Sequence, residues 1–252
     1  MRILLFVIYI FLSAICVSCP LKKIKFISEE FPPYNYMTSD GVIKGIAVDV
    51  LVAASRLVNC AIGRNSIEIL PWARGYKNVL VNANTSLFSM SFSKERSKLF
   101  LWAGPFAKTK NVLIAKKDSG IIVDDENPLT RFMIGAIRND ISHQLALKAG
   151  AKPNNFSYGN KPENLAKMLY KGRIDAWAYN YITARWIFRK LQYSSDEFEI
   201  VYNLSENDNF FAFNKDSDKK AVELLQEGIN MLKENKGKYG VSQLEEIVSN
   251  YL

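Results

Sequence analysis

Twice along this chain, short β-branched and aromatic runs alternate with segments whose apolar residues recur at helical spacing. That alternation limits the possible folds more than any other feature. In the first block, residues 23–28 read as a strand, ended by the turn segment 29–34, and Asp40-Gly41 marks a hairpin-like turn. Between 47 and 59, Val48, Leu51, Val52 and Val58 share a helical face. Residues 66–70 read as a strand, 74–81 as a helix and 86–91 as a strand again. The second block keeps that order, with strands at 132–137, 174–178 and 198–202. Its helices are 141–149, stopped by Gly150, a helix opened by Pro162, and 181–191. Strands alternating with helices imply an α/β fold with a mainly parallel sheet. Two amphipathic helices close the chain, one carrying Val222, Leu225, Ile229 and Leu232, the other Leu244, Ile247 and Val248.

Residues 111–117 and 210–214 read as extended segments on either side of the second block. If both cross between the blocks, the second block is an insertion and the tail returns to complete the first. The expected organisation is then lobe 1 at 19–113 and 212–252, lobe 2 at 114–211, and two hinge crossings. A cleft between such lobes is a favoured place for a small ligand. Periodicity by itself shows only two α/β blocks and a helical tail.

Residues 1–18 read as a secretory signal: Arg2 gives a positive start, 3–15 are nearly unbroken apolar sequence, and small residues follow. The expected location is the periplasm. The formal charge of +8 comes from basic residues spread along the chain, with no Arg/Lys tract, so no nucleic-acid partner is expected. With one histidine, His143, and no CxxC pair, neither a metal site nor a cofactor is expected. Cys19 is open to three readings: a lipid anchor, a disulfide with Cys60, or a free thiol.

The succession "EEFPPYNY", "PWARGY", "SMSFSKERSKLF", "GPF", "GRIDAWAYN" and "FAFNK" resembles the bacterial extracellular solute-binding proteins of family 3, the binding components of polar amino-acid ABC importers and their relatives. The resemblance runs from about Lys22 to Leu252. It implies a two-lobed type II periplasmic binding fold, each lobe a mainly parallel sheet flanked by helices. It also implies a monomer that closes on a small anionic or amino-acid-like ligand.

The resemblance implies that Arg96 grips a ligand carboxylate, with Ser89 and Ser91 adding polar contacts. A guanidinium fork suits that task because it donates two parallel charge-assisted bonds. Phe31 and Trp72 fall where the family places aromatic walls, with Tyr34 and Tyr36 as neighbours; core packing is the alternative for each. Arg74 is either a cleft residue or an exposed helix residue. Arg138 is expected to point into the cleft, while Asp140 is read as an N-cap. Arg173, Asp175 and His143 are read as structural. Asn180 stands where amino-acid binders of the family carry an aspartate for the ligand's ammonium, and it supplies no charge. With Arg74, Arg96 and Arg138 this implies a positive cleft and an anion lacking a free ammonium, unless Glu30 substitutes.

The expected function is delivery of a carboxylate-bearing ligand to an ABC permease, without catalysis. Two alternatives stand beside it: a ligand-binding protein serving a membrane sensor, and a dehydratase-like periplasmic enzyme on the same fold.

Overall fold

The computed structural model describes residues 19–124 and 128–251, so the expected leader at 1–18 lies outside the described residues. The first half contributes β1 (Lys25–Ser28), a hairpin of β2 (Tyr36–Met37) and β3 (Ile43–Lys44), and α1 (Ile46–Leu57). It continues with β4 (Ile67–Ile69), α2 (Trp72–Val81) and β5 (Thr85–Ser91). The long strand β6 (Phe100–Lys116) leads to β7 (Ile134–Ala136), α3 (Ile141–Lys148), β8 (Phe156–Tyr158), α4 (Pro162–Tyr170), β9 (Ala176–Asn180) and α5 (Tyr181–Lys190). A second long strand, β10 (Phe198–Asn214), returns to α6 (Lys219–Glu234) and α7 (Gln243–Ser249).

One eight-stranded sheet runs in the order β4-β1-β5-β10-β6-β9-β7-β8. Pairing is parallel in the outer parts, β4-β1-β5 and β9-β7-β8. The long strands β6 and β10 pair antiparallel with each other from Phe198–Lys116 to Asn214–Phe100. On β10, strand β5 covers only Asn209 to Phe213. On β6, strand β9 covers only Asn111 to Ala115. Between those contacts Lys108, Thr109 and Lys110 face Asp208, Asn207 and Glu206, so here a two-stranded ribbon joins the two parts of the sheet. Of the segments expected to cross, residues 111–115 also pair with β9 and residues 210–213 with β5. The polar run Ser205-Glu206-Asn207-Asp208-Asn209 hides the joining segment from any hydrophobic pattern, because backbone pairing between two strands does not itself require apolar alternation.

Phe26, Ile27, Leu87, Phe88, Phe211 and Phe213 of the sheet are fully buried, as are Val50, Leu51 and Ala54 of α1 and Leu225 and Ile229 of α6. Gly228 permits the close crossing of α6 on α1, since a Cβ there would collide with the Ala54 carbonyl. Around β7 and β9 a second apolar cluster gathers Leu113, Leu129, Ile134, Ala146, Phe156 and Ala178. Cys19 and Cys60 are joined in a disulfide, their Cα atoms 5.5 Å apart, which ties residue 19 to the chain just past α1. Its sulfur so engaged, Cys19 has no thiol left to carry a lipid thioether, and Cys60 is not a free thiol. No helix of the described residues is long and apolar enough to cross a membrane.

Candidate ligand-binding site

The carboxyl ends of the parallel strands from both parts of the sheet converge on one small cavity, the position where open α/β sheets present ligand sites. From one side come Glu29 and Phe31 after β1, Trp72 at the start of α2, and Ser89, Ser91 and Arg96 at and beyond the end of β5. The other side supplies Asn111, Asp140, Ile141 and Ser142, with Tyr179 and Asn180 at the end of β9.

Local sequence explains the shape of the first wall. The Phe31–Asn35 turn is closed by reciprocal backbone bonds of 2.7 and 3.1 Å, and Asn35 Nδ2 donates to the Glu29 carbonyl at 2.6 Å. Ser89, in a left-handed conformation at φ 60°, donates its hydroxyl to Asn35 Oδ1. Gly45 lets the turn lie against α1, because a Cβ at its φ of 128° would overlap the Tyr34 carbonyl. Phe31 stacks on Tyr34 with centroids 5.0 Å apart and meets the edge of Tyr179 at 6.1 Å.

Arg96 is 1 % exposed. Its Nη1 donates to the Ser91 carbonyl at 3.2 Å, and its Nη2 reaches across the cleft to the Asn139 carbonyl at 2.9 Å. The guanidinium carbon lies 5.4 Å from the ring centres of both Trp72 and Tyr76. Arg96 Nε, the Trp72 indole N–H and the Tyr179 hydroxyl are buried without a protein partner.

Two carboxyls face this cation. Burial pushes Glu29 well above the usual carboxylate range; Asp140 and Glu30 add to the rise, and Arg96 opposes it. Burial also raises Asp140, against Arg96 and the backbone N–H groups of α3. Asp140 caps that helix, its Oδ2 accepting from Ser142 N at 3.0 Å, so it is both the expected N-cap and a cavity-lining group. Both amide atoms of Asn180 bond to protein: Oδ1 accepts from Thr183 N at 2.9 Å, capping α5, and Nδ2 donates to Thr109 Oγ1. Ser91 donates to Asn209 Oδ1 at 3.3 Å.

The structure therefore brings Arg96, Ser89, Ser91, Phe31, Trp72 and Asn180 together. Tyr34 lies behind Phe31, its hydroxyl donating to the Lys108 carbonyl at 2.9 Å and pushed up to about 12 by burial. Three expected residues lie elsewhere. Arg74 is exposed on α2, because the inward-facing positions of that helix are Trp72, Gly75 and Val79. Arg138 is exposed and stacks over the Tyr158 ring at 4.0 Å. Glu30 turns away to accept from Met37 N at 2.9 Å. The expected positive cleft is thus corrected: the cavity holds one arginine and two carboxyls. Asp175 is structural, accepting from Met133 N at 2.7 Å, as is His143, bonded to the Tyr158 hydroxyl at 3.0 Å. Tyr36 packs on Trp186, centroids 5.6 Å apart.

Glu29, Asn111, Ser142 and Tyr179 were not legible as site residues. For Glu29 the signal was parity: successive side chains leaving a strand point to opposite sides, so Glu29 and Glu30 cannot both face the cleft.

A sheet with its cleft at the carboxyl ends of the strands, joined by two crossing strands, is the architecture of the type II periplasmic binding proteins. The chain belongs to the bacterial extracellular solute-binding proteins, family 3, whose model matches residues 24–243. Among solved structures it resembles a histidine kinase sensor domain with similarity to periplasmic binding proteins (TM-score 0.76, 17% identity, covering 90% of this chain and 96% of that one). It also resembles a mutant of ArgBP from T. maritima (0.73, 19%, 91% and 95%). A third is ArtJ, the arginine-, lysine-, histidine-binding protein from Geobacillus stearothermophilus (0.73, 16%, 90% and 95%). A search of curated proteins finds no match.

Proposed function

We propose that the protein binds an amino-acid-like molecule, carrying a carboxylate and a cationic group, between two lobes that close about the β6–β10 ribbon. The observation that carries this reading is the charge set of the cavity: one buried guanidinium with the Glu29 and Asp140 carboxyls opposite. Arg96 takes the ligand's carboxylate, which replaces the Asn139 carbonyl on Nη2 and brings an acceptor within reach of Nε. Glu29 and Asp140 take the cationic group. An anion without such a group would leave the Glu29 and Asp140 carboxyls without a cation, so they would either repel it or have to take up protons. Trp72 and Tyr179 offer N–H and O–H donors as well as apolar ring surface. Delivery to an ABC permease is the reading the family supports. Service to a membrane sensor is the second, favoured by the likeness to the kinase sensor domain.

A thermal-shift panel of the free amino acids, polyamines, monocarboxylates and dicarboxylates tests this. A true ligand at a hundredfold excess over its Kd stabilises the protein by about 2.7 kcal/mol. The expected result is stabilisation by amino acids, basic ones included, and a smaller radius in X-ray scattering when one is bound. Stabilisation by plain carboxylates alone, or an unchanged radius on binding, refutes the reading.

A further inference from the structure

Helix α5 has two faces. Thr183, Ala184, Ile187 and Phe188 are buried. Ile182, Arg185, Trp186 and Arg189 recur at the i, i+3, i+4 and i+7 spacing that makes one stripe along a helix, and this stripe is left partly open. Arg185 and Arg189 are exposed, and among the described residues neither guanidinium forms an ion pair. Helix α7 is similar: Leu244, Ile247 and Val248 share a face, yet none of its residues is fully buried.

Between these helices runs a groove in two sections. The larger, of about 710 Å³, is walled by Ile46, Pro105, Phe106, Ile182, Leu244 and Val248. The smaller, of about 340 Å³, is bounded by Arg185, Trp186 and Arg189 with Tyr181 and Tyr251. Ile182 belongs to both, and Val248 and Tyr251 are three residues apart, so the sections adjoin. Charges at the larger section are matched within the protein. Lys108 faces Asp208 across the ribbon, and Glu245 accepts from Ser242 N and Oγ, both at 2.8 Å. The unmatched charge therefore sits at one end, on Arg185 and Arg189. No residue of the groove lines the ligand cavity described above.

We propose that this groove binds a single-chain anionic amphiphile, an acyl carboxylate, with its chain in the apolar section and its head group between Arg185 and Arg189. An open apolar surface rimmed by charge marks an interaction site, and the volume of the larger section lies in the range of small-molecule pockets. A carboxylate suits the paired guanidiniums, because each can offer it two parallel N–H donors. Arg185 also lies 5.8 Å from the Tyr181 ring centre, where the ring face favours the cation. The distribution of charge selects the occupant. An amphipathic helix from a partner protein carries charge along its whole length and would want complementary charge along the whole groove. Here the free charge is confined to one end and the apolar walls to the other, which matches a molecule with a head and a tail.

The test is calorimetric titration of the protein with dodecanoate below its micelle-forming concentration. The expected result is saturable binding of one molecule per chain. Each buried methylene contributes about fourfold in affinity, so octanoate should bind at least about tenfold more weakly. Arg185→Gln combined with Arg189→Gln should weaken dodecanoate at least about fivefold and leave the melting temperature unchanged, since both side chains are exposed. Val248→Glu places a like charge beside the chain and should abolish binding; if that variant fails to fold, the comparison with octanoate still tests the apolar section. Dodecyltrimethylammonium, with the same chain and a cationic head, should not bind. Dodecanoate that fails to saturate, or that binds the double glutamine variant as well as the wild type, overturns the proposal. Equal binding of the ammonium compound overturns it too, by reducing the groove to an apolar surface. Binding of an acidic amphipathic peptide without binding of dodecanoate would assign the groove to a protein partner and also overturns it.

Discussion

Replacing Arg96 by alanine is the most direct test of the site, and its consequences can be worked from the contacts. The side chain is buried, donates to the Ser91 and Asn139 carbonyls, and lies against Trp72 and Tyr76. Losing a charge-assisted pair with a ligand carboxylate in a desolvated cleft costs about 2–5 kcal/mol. That corresponds to a loss of affinity of at least about thirtyfold. The same substitution removes the bonds to the Ser91 and Asn139 carbonyls, so folding has to be checked beside affinity. Arg96→Lys separates charge from geometry: it keeps a cation for Glu29 and Asp140 but not the planar fork, so it should fold well and still bind weakly. The assay is calorimetric titration with the best compound of the thermal-shift panel, alongside a melting curve for each variant. Near-native affinity in a folded Arg96→Ala protein would refute the assignment of Arg96 as the carboxylate anchor.

Two further perturbations probe the frame around the site. Cys60→Ser opens a disulfide between residues 41 apart, for which chain entropy gives about 4 kcal/mol; Tm should fall by roughly 10 °C, and an unchanged Tm would show the bond to be energetically idle. Tyr251 donates to Asp49 Oδ2 at 2.7 Å and accepts from Gly45 N at 3.3 Å, fixing the chain end to the start of α1; Tyr251→Phe should cost about 1–2 kcal/mol in a denaturant melt, and a neutral result would mean that the carboxylate is fully satisfied by Arg64.

Much of the architecture was legible because burial leaves periodic traces. Each helix of the two blocks has one apolar face against the sheet, and Val48, Leu51, Leu165 and Leu169 are buried as their spacing requires. Helix ends were legible where chemistry marks them, as at Asp140 and Pro162. The ribbon was not, because Lys108–Lys110 and 205–208 hold each other by backbone bonds that any side chain can accompany. Within the site, Arg96 and Trp72 were found through the family's motifs. Glu29 was missed by one residue, since a turn that begins with two adjacent glutamates does not say which of them faces inward. Arg74 and Arg138 were misplaced for a related reason: charge near a cleft in sequence is not charge in the cleft, and one step along helix α2 or along the turn before α3 decides the difference.

Asn180→Asp turns that charge count into a discriminating experiment. The substitution should leave the fold intact, because aspartate caps a helix as well as asparagine and the α5 N-terminus favours a negative charge by about 0.3–1 kcal/mol. Oδ1 would go on accepting from Thr183 N, and Thr109, which now accepts from Asn180 Nδ2, can donate its hydroxyl instead. What changes is the cavity, which gains a third carboxyl beside Glu29 and Asp140 against the same single guanidinium. If the cleft were positive, as three inward arginines would make it, the new charge would merely neutralise a surplus and dicarboxylates would still bind. In the cleft observed, it adds repulsion toward any anion and attraction toward any cation. The ratio of L-arginine to succinate affinity should rise at least about tenfold, the equivalent of about 1.4 kcal/mol. A ratio unchanged from the wild type would mean that position 180 does not sense the ligand's charge. The selectivity would then have to come from the aromatic walls of Phe31, Trp72 and Tyr179 rather than from electrostatics.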